Sequence, residues 1–88
     1  MISENAQQVL SYVKSGLRIL QLKSYVQLDI RGDHGIWGLS RSGDEELSLT
    51  CRDPDTLREI IAEVRDQGHT VQEVGEPSDT VLISPTIG

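Results

Sequence analysis

The stretch LRILQLKSYVQLDIRGDHGIWGLSR, residues 17–41, decides how this chain folds. It opens as an alternation. Leu20, Leu22, Val26, Leu28 and Ile30 fall in one row with Ser24, while Gln21, Lys23, Tyr25, Gln27 and Asp29 fall in the other. Successive side chains of a strand point to opposite faces, so this pattern predicts a strand over Leu20–Ile30 with one dry and one wet face. Such a strand is long by ordinary standards, and a bend or break is expected near Lys23–Ser24.

The alternation stops at RGDHG, residues 31–35, and resumes with Ile36 and the single Trp, Trp37. Asp33 beside His34 is the densest group of reactive residue types in the chain. A metal site needs three or four ligands at compatible spacing, and the only other His is His69. Gly and Asp here are what a tight turn demands, since Gly tolerates positive φ and Asp bonds to nearby backbone. The segment therefore reads as a chain reversal. SGDEE, residues 42–46, is a second polar turn, and LSLTC, residues 47–51, a third strand with Leu47, Leu49 and Cys51 on one face. Short turns of this kind join antiparallel neighbours, so the middle of the chain is expected to be a three-stranded meander.

Helices flank it. Residues 3–14 have Ser3 as a cap, Glu4 at the positive end of the dipole, and Ala6, Val9, Leu10, Val13 and Leu17 at helical spacing, with Gly16 as the expected stop. The second helix has Asp53 as N-cap, Pro54 in its first turn, Leu57, Ile60, Ile61 and Val64 on one face, and Gly68 just beyond its end. HTVQEV, GEPSD and TVLIS then predict a terminal hairpin, and residues 85–88 a frayed tail. The fold class is α+β: a single antiparallel sheet of about five strands with two helices on one face, in the order α-β-β-β-α-β-β, forming one small domain over residues 1–88. The uncovered sheet face is expected to carry Tyr25, Trp37 or Leu39, and some of Val71, Val81 and Ile83.

Composition narrows the function. Fourteen Asp and Glu against eight Lys and Arg give a net charge of −6, and the cations are scattered along the chain with no run. Direct binding to nucleic acid is not expected of such a chain. There is no apolar run long enough to span a bilayer, and the N-terminus lacks the basic and apolar blocks of a secretion signal. One Cys allows no internal disulfide, so a cytoplasmic setting is expected. No phosphate-binding loop or nucleophile-elbow motif occurs, and no catalytic residue, cofactor or metal site is assigned. Cys51 continues the Leu47, Leu49 row and reads as a buried apolar residue.

Two features point to partners. Asp55, Glu59 and Glu63 recur every fourth residue with Asp66 three further on, an acidic flank of the second helix suited to a basic protein surface. Tyr25 and Trp37 lie on strands beside the RGDHG turn, and such aromatics commonly anchor interfaces, though Trp37 is equally suited to fill the core between sheet and helices. The leading expectation is a non-enzymatic protein-interaction module, adaptor-like or chaperone-like and homodimeric, using the acidic flank, the open sheet face or both. The alternative is a small acidic inhibitor of a nucleic-acid-handling enzyme. A third reading is a small enzyme built on Asp33 and His34, with His69 as an optional further member.

Overall fold

In the computed structural model the chain is described over residues 2–23, 27–43, 45–74 and 79–87. The elements are α1 (Glu4–Gln21), β1 (Asp29–Gly32), β2 (Trp37–Ser42), β3 (Glu46–Cys51), α2 (Pro54–Asp66), β4 (His69–Val74) and β5 (Thr80–Ile87), with a short 3-10 turn at Asp33–Gly35. The five strands form a single sheet in the order β1-β2-β3-β5-β4, and every neighbouring pair is antiparallel. The α+β class and the element order are those expected from the sequence. The C-terminal hairpin joins the meander through β5, which lies against β3.

The largest correction falls on residues 17–30. The predicted strand from Leu20 does not form: α1 runs on to Gln21, and β1 begins only at Asp29. Ser24, Tyr25 and Val26, which the predicted strand included, lie outside the described residues. Leu17 and Leu20 continue the helical row of Val9, Leu10 and Val13, and all are buried. Leu22, dry in the strand reading, is 68% exposed beyond the helix end. The helix ends where Lys23 takes a left-handed conformation, φ 52°, and its N–H donates to Leu20 O. Gln21 Nε2 donates to Pro85 O at 2.7 Å and ties the last turn to β5.

Gly16, expected to stop α1, is buried in its middle. A Cβ there would lie 3.0 Å from Leu47 Cδ1 and 3.2 Å from Leu28 Cδ2. The glycine lets the helix backbone press onto the sheet, and that contact outweighs its poor helix propensity.

The second helix starts as its sequence dictates. Asp53 accepts from Asp55 N–H, and Pro54 opens the first turn. Beyond its end Gly68 has φ 95°, which turns the chain into β4. Residues 85–87, read as tail, continue β5, and His69 pairs with Ile87 across the last hairpin.

Both helices pack on the same side of the sheet, and the register settles which residues they cover. Trp37, Leu39, Leu49, Cys51, Val81, Ile83 and Val71 all point toward the helices and are buried. Fully burying each large aliphatic side chain contributes roughly 1.5–3 kcal/mol, and Val9, Val13, Leu57, Ile60 and Val64 of the helices are buried in the same core. The expectation that Trp37 or Leu39, with some of Val71, Val81 and Ile83, lies on the uncovered face is therefore overturned. The outer face instead pairs Asp29 with Ser40 and Ser48, and Arg31 with Gly38 and Thr50. Gln72 and Leu82 continue the first row, and Val74 and Thr80 the second. It is mostly a hydroxyl-rich ribbon, with Leu82 and Val74 as its apolar members.

Candidate functional site

The RGDHG segment is the turn its glycines suggest. Gly32 pairs with Trp37, and the intervening chain reverses through the 3-10 turn. His34 sits at φ 54° and Gly35 at φ 85°. The left-handed region costs a side chain such as His roughly 1–2 kcal/mol, because Cβ crowds the following carbonyl. The loop is held from outside: Arg52 N–H donates to Ile36 O at 2.8 Å, which fixes the chain after β3 against the turn.

That bond brings together side chains that are far apart in sequence. Arg31, His34 and Arg52 line a shallow concavity of about 470 Å³ on the outer sheet face, together with Asp29, Ser40 and Thr50. Its floor is strand backbone at Gly38, between Arg31 on β1 and Thr50 on β3. The Thr50 hydroxyl lies 3.0 Å from that of Thr80, which in turn donates to Asp79 Oδ1. Arg31 and Arg52, scattered in the sequence, thus come to one surface. A signal was present, because alternation places Arg31 outward one residue before the turn, but Arg52 joins it only through strand pairing.

A second, smaller concavity of about 350 Å³ is lined by Lys14, Arg18, Gln21, Gln67 and His69. The His69 Nδ1–H donates to Ser84 O at 2.9 Å. His34 and His69 thus serve opposite ends of the sheet, one beside β1 and one on β4, and the structure does not assemble them into the joint site of the third reading. Among the described residues no three His, Cys, Asp or Glu side chains come together as metal ligands.

Trp37 is 4% exposed and belongs to the core. Its ring meets Tyr12 of α1 with centroids 5.3 Å apart, tilted by 36°. Its Nε1–H is buried and has no acceptor among the described residues. The sequence reading passed over Tyr12, which flanks the apolar row of α1 and is 40% exposed. Tyr25, the other aromatic assigned to a partner surface, lies outside the described residues.

The acidic flank of α2 survives as a surface. Asp55 is paired with Arg58, and both are exposed. Glu59 Oε2 accepts from Ser3 Oγ at 2.7 Å, at the start of α1, and Glu63 Oε1 accepts from Gln67 Nε2 at 3.2 Å. Asp66 is exposed. The neutral donors on Glu59 and Glu63 leave their charges uncompensated. Arg65 turns toward β4 and donates to Val71 O.

Cys51 is buried behind Trp37 on the helix side of the sheet, with Sγ 3.6 Å from Asp53 O. Burial pushes its thiol above the ordinary range, hydrogen bonding from the Asp53 backbone pulls the other way, and the Asp53 charge raises it further. A thiol held protonated and out of solvent is no nucleophile.

Compared with known proteins, the chain matches no family model, no curated protein and no solved structure. Among the described residues no helix is long and apolar enough to cross a membrane.

Proposed function

We propose that this chain is a non-enzymatic binding module that docks a basic protein surface along the acidic flank of α2. The observation that carries the reading is the set of charges on Glu59, Glu63 and Asp66, for which the described residues supply no ion-pair partner. Arg65 is drawn off to β4, so the flank remains negative in a molecule that is itself negative. Complementary charge of this kind speeds encounter and selects partners more than it adds affinity. A basic protein that handles nucleic acid is one such surface, which keeps the inhibitor reading within this proposal as a choice of partner.

The expectation of a homodimer rests on the half-covered sheet and the acidic flank, and the uncovered face is mostly polar. The module is accordingly read as a monomer, and sedimentation equilibrium at tens of micromolar should return a single species of about 9.7 kDa.

The docking test is capture of the partner from the native cell by the intact chain, its identification, and titration of the purified pair. Glu59→Lys combined with Glu63→Lys should weaken binding by tenfold or more and leave the circular dichroism spectrum unchanged. Binding should also fall steeply with added salt, because exposed charges are screened within about 10 Å at 0.1 M. Equal affinity for the parent and the double variant would overturn the reading.

A further inference from the structure

We infer that the concavity lined by Arg31, His34 and Arg52 on the outer sheet face is a binding site for a small phosphate monoester. The argument begins at Gly38. Glycine in a strand interior weakens it and often marks a place where a ligand comes close to the backbone. Gly38 is not required by its neighbours or its backbone. A Cβ there would meet nothing nearer than Ile30 O at 3.8 Å and Arg31 Cγ at 3.9 Å, and its φ is not positive. What the absent side chain does is leave the floor of the concavity open between its two cross-strand partners, Arg31 and Thr50.

The walls supply the chemistry. Two guanidiniums present planar forks of N–H donors that match phosphate oxygens, and Arg is the residue of choice for such recognition. Neither Arg31 nor Arg52 has a side-chain hydrogen bond or ion pair among the described residues, although the chain carries an excess of carboxylates. His34 adds a third nitrogen donor from a left-handed position in the turn, and Ser40 and Thr50 add hydroxyls. The volume, about 470 Å³, lies within the roughly 300–1,000 Å³ of small-molecule sites and exceeds the needs of a bare phosphate ion. Asp29 also lines the concavity, on the same face as Arg31. It opposes an anion placed close to it, so the phosphate is set toward Arg52 and Thr50, and Asp29 is left to accept from a hydroxyl or amine of the esterified group. This surface lies on the other side of the sheet from α2, so the inference is independent of the docking reading.

The test is a two-dimensional amide NMR titration of the full chain with three probes: inorganic phosphate, glycerol 3-phosphate, and a phosphoserine peptide. Glycerol 3-phosphate should shift the amides of Arg31, His34, Gly35, Gly38, Thr50 and Arg52, saturably, and bind more tightly than inorganic phosphate. Arg31→Gln with Arg52→Gln should weaken it on the order of tenfold or more, as expected for lost charge-assisted bonds. Gly38→Val, which fills the floor and removes neither guanidinium, should also weaken it and leave the rest of the spectrum in place. Asp29→Asn should tighten it. Lys14→Gln with Arg18→Gln, in the other concavity, should leave it unchanged. The inference is overturned if glycerol 3-phosphate gives no saturable shifts, if the shifts fall equally on Lys14, Arg18 and His69, or if the double Arg variant binds as the parent does. Binding of the phosphopeptide without the small ester would replace it with a peptide-recognition site.

Discussion

The indole of Trp37 occupies the space that a side chain on Gly32 would need. A Cβ at Gly32 would lie 2.4 Å from ring carbons Cε2 and Cζ2 and 2.5 Å from Nε1. The two residues are cross-strand partners at the mouth of the RGDHG turn. The glycine and the tryptophan therefore form one packing unit: the ring is buried because its partner has no side chain. Gly32→Ala should force the ring or the β1 backbone aside and destabilise the fold by about 1–3 kcal/mol, the usual cost of overpacking. Urea unfolding followed by the fluorescence of Trp37 reads both stability and ring environment. Gly38→Ala is the control, because its Cβ has room. It should be neutral or stabilising by up to about 1 kcal/mol through the unfolded chain. Equal effects of the two substitutions would show that the ring does not depend on Gly32.

At Gly16 two effects compete. Alanine in a helix interior is favoured over glycine by about 0.8–1 kcal/mol. Against that, the new methyl would lie 3.0 and 3.2 Å from the two Cδ carbons of Leu47 and 3.2 Å from Leu28 Cδ2. Both methyls of Leu47 crowd the position and Leu47 is fully buried, so a rotamer change gives little relief. Overpacking of about 1–3 kcal/mol should win, and Gly16→Ala should lower stability by about 1 kcal/mol in urea melts. A more stable Gly16→Ala protein would mean that α1 can lift off the sheet at no cost.

These two glycines explain what the sequence shows of the fold and what it hides. The meander, α2 with its Asp53 cap and Gly68 exit, and the element order are all legible, because each rests on local periodicity and turn chemistry. Residues 17–22 satisfy both periods: Leu20 and Leu22 alternate, yet Leu20 also follows Val13 and Leu17 at helical spacing. The helix buries Leu17 and Leu20 and brings Gly16 against Leu47 and Leu28, a long-range approach that no local pattern carries. The face of Trp37 depends on its register across the turn, which a shift of one residue would reverse. The acidic flank of α2 is legible because it is helical and continuous. The Arg31–Arg52 grouping is not, because it needs β1, β2 and the end of β3 side by side.

Burial should make Cys51 inert. It is 2% exposed, and burial pushes its thiol pKa up. At neutral pH a disulfide thiol reagent should label the folded protein only as fast as it opens, and label it promptly in denaturant. Variants that loosen the fold, such as Gly16→Ala, should speed labelling in step with their loss of stability. Rapid labelling of the folded parent would place the thiol at the surface and contradict the packing of Cys51 against Trp37 across β2 and β3.

The cap of α2 should give stability a particular pH dependence. Asp53 Oδ2 accepts from Thr56 Oγ1 at 2.7 Å and Oδ1 from Asp55 N–H at 3.2 Å. The Thr56 hydroxyl bond is the main cause holding the Asp53 carboxyl below its ordinary range, with the backbone N–H bonds assisting and partial burial opposing. A depressed folded pKa means that the unfolded chain binds the proton first as pH falls. The stabilisation is then fully present above the unfolded value, about 3.9, and is lost as pH drops through the folded one. Asp53→Asn keeps a capping side chain of similar quality but cannot titrate. At neutral pH it should be less stable than the parent, and the gap should narrow steadily as the solution is acidified below about pH 4. Thr56→Val removes the hydroxyl donor and should return the Asp53 carboxyl toward its ordinary pKa, read by carboxyl carbon NMR. A stability gap between parent and Asp53→Asn that stays constant from neutral to acid pH would show that the cap does not distinguish the carboxylate from the acid.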